Sequence, residues 1–143
     1  MGMQVKFKDK TGFISKNIKQ GLTDTVLDLT LDLKRTASAA APHKSGFLDT
    51  SGVSHSVKNS RGGMTGTVSF RAMDGRFDYS EWTHNADYTL GAKSKLKPGG
   101  KSIYGTQKVP VGKGYLSNSL EYNSAGYMTK IAEDFRSAIE KGG

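Results

Sequence analysis

The side chains able to do chemistry in this chain are few, and their spacing suits little of it. Its three histidines are His43, His55 and His84, and it contains no cysteine. A metal site would draw on residues expected in a turn, a strand and an aromatic segment. No pair has the i, i+4 helical spacing of a zinc enzyme, and neither a thiolate ligand nor a cysteine nucleophile is available. His84 lies near Glu81 and Asp87 in sequence, and imidazole and carboxylate can polarise one another as an acid/base pair. The favoured reading of His84 is a hydrogen-bonded histidine that orients a turn beside Trp82. The glycines Gly91, Gly99, Gly100, Gly105, Gly112 and Gly114 form neither a Walker pattern nor a strand-linked GxGxxG, and Lys101 lacks the Ser/Thr-tipped helix a nucleotide would need. No catalytic residue, cofactor or metal is expected.

Positive charge is the more informative chemistry. The 143 residues carry a formal net charge of +8, which attracts polyanions without conferring specificity. From Tyr88 to Leu120 the only charged side chains are Lys93, Lys95, Lys97, Lys101, Lys108 and Lys113. The window is rich in Gly and Ser and holds Pro98 and Pro110, so little of it is expected to be buried. It reads as a long mobile loop or arm inserted at about residues 91–114, either solvated or facing a partner or DNA.

The elements that must carry these residues are legible from periodicity. Ile14, Ile18, Leu22, Val26, Leu29, Leu33, Ala37 and Ala40 recur every three or four positions, predicting one helix from about Thr11 or Phe13 to Ala41. Lys16, Lys19, Asp24, Asp28, Asp32 and Lys34 supply its wet face, Leu27 and Leu31 widen the apolar side, and Gly21 marks a weak point or bend. Nearly thirty residues would span about 40–45 Å, more than a small domain covers, which invites contact with another subunit. Pro42 ends the helix. Val53, His55 and Val57 alternate with Ser54 and Ser56, and Met64, Val68 and Phe70 oppose Thr65, Thr67 and Ser69. These are two half-buried strands joined through a loop over Asn59–Gly63. Met73–Gly75 is a further turn, a third strand is expected around Gln107 to Val111, and Tyr115 to Tyr122 reads as a short helix. A last helix from about Ala125 to Glu140 takes Ser124 as N-cap and Met128, Ile131, Phe135, Ala138 and Ile139 as its stripe. The whole is a single α+β domain over 1–143, with a long N-terminal helix and a C-terminal helix packed on a small antiparallel β-sheet. A chain this long buries roughly 68–70% of its unfolded surface. No apolar run approaches the roughly 20 residues that span a bilayer, and MGMQVKFKDK lacks the apolar middle of a secretory signal. A cytoplasmic origin without membrane contact is therefore expected.

Three segments occurring in order carry a resemblance. Ala41, Pro42, His43, Lys44, Ser45, Gly46, Phe47 and Leu48 follow the first helix as small residue, Pro, a short spacer, Ser, Gly, apolar, Leu. YSEWTH runs from Tyr79 to His84, and GKGYLSNSLEYN leads into the last helix. This succession resembles the minor capsid or tail-completion proteins of long-tailed bacteriophages. The resemblance implies a virion neck protein made in the host bacterial cytoplasm: one subunit of a ring, a hexamer for tail completion, joining the DNA-filled head to the tail. Its implied partners are further copies of itself, neighbouring neck and tail proteins, and packaged double-stranded DNA in the channel. It implies no cofactor.

Tyr79, Glu81, Trp82 and His84 are then interface candidates, with this segment packing on the sheet and presenting Glu81 and His84 outward. Aromatic residues also fill cores, and Trp82 is read first as core and second as interface. The six lysines would dock on a neighbouring ring or line the DNA channel. Tail-terminator and head-closure roles in the same neck stay open as alternatives, as does a free-standing basic nucleic-acid-binding domain. A small hydrolase using Glu81 and His84 is the remotest.

Overall fold

The computed structural model describes residues 3–9, 16–42, 52–60 and 63–140. His43 to Leu48, most of the first resemblance segment, lie outside these residues.

A three-stranded antiparallel sheet in the order β1-β3-β2 is formed by β1 (Met3–Asp9), β2 (Val53–Ser60) and β3 (Gly63–Phe70). Central β3 pairs Phe70 with Met3 on one side and with Val53 on the other. Met64, Gly66, Val68 and Phe70 are buried while Thr65, Thr67 and Ser69 are only partly so, the expected period of two. β2 and β3 extend to Ser60 and Gly63, so their connection is shorter than the expected loop. β1 was not expected from the sequence.

α1 (Lys16–Ala40) is a helix of 25 residues, about 37 Å long at 1.5 Å per residue. Leu22, Val26, Leu29, Leu33, Ala37 and Ala40 are all buried along it, as their spacing requires. It packs on β2 and β3 with this stripe and against α4 (Tyr115–Glu140) on another side. Asp32, assigned by its charge to the wet face, is fully buried there.

The last helix also differs from expectation. The short and long helices fuse into one of 26 residues. Ser124 does not cap it; its hydroxyl donates to the Glu121 carbonyl at 3.0 Å within the helix. The buried face lies in the N-terminal half, at Tyr115, Leu116, Ser119, Asn123 and Tyr127. Met128 is 67% exposed and Ile139 49%, so the expected stripe is wrong at both positions, whereas Ile131, Phe135 and Ala138 pack against the core. α4 leans chiefly on α1 and reaches the sheet at β1.

Between sheet and α4 lie a two-stranded hairpin of β4 (Met73–Asp74) and β5 (Phe77–Asp78), then α2 (Tyr79–Asn85) and α3 (Ala92–Lys95). Gly75 turns the hairpin at φ 61°, a left-handed geometry natural to glycine.

Candidate assembly interface

α2 is fixed in place by polar groups it shares with both neighbours. Asp78 caps it: its Oδ1 accepts from the backbone N–H groups of Ser80 at 3.0 Å and Ala72 at 3.1 Å, and from the Ser80 hydroxyl at 2.5 Å. Burial alone would raise the Asp78 pKa, but the Ser80 hydroxyl and these two N–H donors outweigh it and hold the carboxyl below its ordinary 3.8. The stability this carboxylate contributes is therefore complete above the usual carboxylate range and is lost as the pH falls through its lower folded value. Acid unfolding followed by circular dichroism between about pH 5 and pH 2 should be less steep in Asp78→Asn than in the native chain. An unchanged slope would remove Asp78 from the linkage.

At the other end of α2, His84 is buried, not turned outward. Its Nε2 accepts the backbone N–H of Ser117 at 3.1 Å, satisfying one of the free donors in the first turn of α4. With Nε2 an acceptor, Nδ1 carries the proton and donates to Asn85 Oδ1 at 2.9 Å. Gly114 N–H donates to the His84 carbonyl at 2.8 Å, and the ring lies edge-on to Tyr115, 5.0 Å between centroids. Both imidazole nitrogens are thus occupied, and Asp87 pairs instead with Lys113 at 2.9 Å. The favoured hydrogen-bonded histidine is what the geometry displays, although it orients a helix start and not a turn.

Tyr115 completes the anchor, donating its hydroxyl to the Ser80 carbonyl at 2.7 Å and meeting Phe70 edge-on at 4.9 Å. Burial raises the pKa of this phenol and pushes that of Tyr88 up to about 12. Tyr88 donates to the Thr83 carbonyl and stacks on Trp82 at 5.1 Å.

On this rigid base, Trp82 is 45% exposed and Phe77 53%. Trp82 therefore does not belong to the core, which corrects the first reading of it. Tyr79 is half-buried against the core and Glu81 is exposed. Arg76, Phe77, Glu81, Trp82 and Asn85 line an open groove of about 440 Å³. Sequence reasoning found Glu81 and Trp82 but missed Arg76 as a lining residue and placed Phe77 only in an aromatic cluster. Its signal was the hairpin turn, which carries both to the α2 surface.

The lysine segment is not a free arm over its described length. Lys97 donates to the carbonyls of Ser38, at 3.0 Å, and Ala41, and Gly112 N–H donates to the Ala40 carbonyl at 3.0 Å. Together these close the C-terminus of α1, whose last carbonyls otherwise need partners. In place of the expected third strand there is a single bridge between Gly100 and Val109. Gly100 lies so close to α1 that an added Cβ would sit 2.1 Å from the Thr36 carbonyl oxygen. Ser94, Ser102 and Val109 are buried. Ser102 donates to Asp32 Oδ2 at 2.5 Å, Tyr127 donates to the same oxygen at 2.6 Å, and the Ile103 N–H reaches Oδ1 at 3.3 Å. Burial, then the bond to Asp32, raises the Tyr127 pKa.

Lys93, Lys95, Lys101 and Lys108 are exposed, Lys113 is exposed and paired with Asp87, and Lys97 is half-buried in its capping role. The segment also presents Leu96 at 85% exposure and Ile103 at 73%. Neither was singled out from the sequence, although isolated large apolar residues in a polar stretch are the signal. Among the described residues no helix is long and apolar enough to cross a membrane, and no cluster of three or more His, Asp or Glu side chains is placed to hold a metal. Searches of protein families, of characterised proteins and of solved structures return no match to this chain.

Proposed function

We propose that this chain is a structural assembly subunit of a long-tailed phage neck, a ring member joining head to tail, with tail completion favoured over the terminator and head-closure roles. One observation carries the assembly reading: Phe77, Trp82, Leu96 and Ile103 are exposed on two segments that buried polar contacts hold firmly in place. A protein that displays ordered apolar side chains is prepared for partners, because little freedom is lost when they bind. The phage assignment itself rests on the ordered motif resemblance. His84 serves as a helix cap, which supports a structural role for the YSEWTH segment over a hydrolytic one.

The exposed lysines Lys93, Lys95, Lys101 and Lys108, together with Lys113 paired to Asp87, favour a second use, contact with packaged DNA. Lys97 is excluded from both uses by its capping role, so the test replaces Lys93, Lys95, Lys101, Lys108 and Lys113 with glutamine. The expected result is heads that fail to join tails while affinity for duplex DNA is unchanged. Weaker DNA binding with a shallower salt dependence would assign the lysines to DNA instead. Normal joining and unchanged DNA binding would overturn both uses.

A further inference from the structure

Charge is segregated along the sequence here, and with Asp78 buried in its capping role and Asp87 paired with Lys113, Glu81 is the exposed acid that lines the groove. Between Met73 and Asp87 there are four acids, Asp74, Asp78, Glu81 and Asp87, and one base, Arg76, in a chain whose net charge is +8. From Tyr88 to Leu120 there are lysines and no acid. The acidic region contains the groove lined by Trp82, Phe77 and Glu81, with Arg76 also on its wall. The basic region contains Leu96, the most exposed large apolar side chain among the described residues, with Lys93 and Lys95 beside it on α3. The turn presenting Leu96 is ordered by backbone bonds from Lys95 to Gly91, Leu96 to Lys93 and Lys97 to Ser94, by buried Ser94, and by the Lys97 clamp on α1. Residues 91–97 do not line the groove of their own copy.

We propose that Leu96, flanked by Lys93 and Lys95, docks in the Trp82–Phe77 groove of a second copy of this chain, with Glu81 opposite the lysines. The inference rests on the assembly reading above and names the surfaces that would build the ring. Knob and groove are different surfaces, so the contact is heterologous. Each copy offers its knob to one neighbour and its groove to the other, and the chain of contacts closes if the rotation between copies divides a full turn. Burying Leu96 removes an apolar side chain from water, and an ammonium over the indole face adds cation–π attraction. The patch is small for a stable complex, so the isolated chain should associate weakly and close fully only on its partners.

With no native cysteine, paired thiols report this contact directly. A chain carrying both Ala92→Cys, one turn before Leu96, and Arg76→Cys, on the groove wall, keeps Leu96, Phe77 and Trp82 and, oxidised at high protein concentration, should form a ladder of disulfide-linked oligomers on a non-reducing gel. Ala92→Cys alone should give little dimer. Both sites are exposed, and an unchanged melting curve of the reduced double variant verifies folding. Adding Glu81→Lys should lower the ladder yield about tenfold, the effect expected for losing an interfacial charge pair, and adding Lys93→Glu with Lys95→Glu to that chain should restore it. Absence of the ladder, or dimerisation of Ala92→Cys alone as efficiently as the pair, overturns the proposal. Absence of the ladder in a chain whose native form joins heads to tails rejects this contact and leaves the neck reading standing. A ladder from a chain that plays no part in joining supports the contact and rejects the neck reading.

Discussion

Replacing Asp32 with alanine is expected to destabilise the chain by about 3–5 kcal/mol, the range for breaking a buried charged network by removing one member. In thermal unfolding this would lower the midpoint by about 10–15 °C for a domain of this size. The carboxylate, fully buried on α1, accepts from Ser102, Tyr127, the Ile103 backbone and Arg35. These donors come from the insertion, from α4 and from α1 itself, so one side chain joins three parts of the fold. Its loss leaves the Ser102 and Tyr127 hydroxyls buried without their acceptor, and it is the stranded partners that make such a loss large. Asp32→Asn keeps an acceptor oxygen and should cost roughly half as much. Tyr127→Phe removes one donor and should cost about 1–1.5 kcal/mol. A change below about 1 kcal/mol in Asp32→Ala would show that the network contributes no more than a surface pair.

Asp32 also shows where sequence reading reaches its limit. Periodicity placed the buried stripe of α1 correctly at Leu22, Val26, Leu29, Leu33, Ala37 and Ala40, because an amphipathic helix records its own core. It cannot record a second layer. The face bearing Asp32 is covered by α4 and by a Gly/Lys-rich segment whose composition resembles that of a solvated loop. That segment is held by polar contacts at Ser102, Lys97 and Gly100 together with isolated apolar side chains, Val109 in the core and Tyr104 against it, which form no periodic pattern. The continuity of α4 was hidden in a similar way, since Ser124 is a plausible cap wherever a helix is taken to begin. The β1 signal was present: Met3, Val5 and Phe7 alternate with Gln4, Lys6 and Lys8. Of the candidate interface, Glu81 was legible as an exposed residue in an aromatic segment, whereas Trp82 was read first as core. The hydrogen-bonded character of His84 was legible but its burial and partner were not, because that partner is Ser117, 33 positions away.

The glycines supply the sharpest test of this layered packing, because two of them lie inside helices and should respond to alanine in opposite directions. Alanine in a helix interior ordinarily gains roughly 0.5–1 kcal/mol over glycine. At Gly21 on α1 a new Cβ would lie 3.9 Å from the Ala138 Cβ, an ordinary contact with α4. Gly21→Ala should therefore stabilise by about that amount and raise the urea midpoint. At Gly126 on α4 the same Cβ would lie 1.8 Å from the Tyr104 carbonyl oxygen and 2.8 Å from its carbon. That neighbour is backbone and cannot rotate away, so the insertion would have to lift from α4. Ile103 and Tyr104 would then draw away from Asp32 and Tyr127, whose ring meets Tyr104 edge-on at 6.0 Å. Gly126→Ala should lose about 2–3 kcal/mol despite its better helix propensity, as overpacking in a closed site does. Urea unfolding of the two single variants decides the matter. If both midpoints rise, the segment is not seated on α4 as described, and helix propensity alone governs these positions.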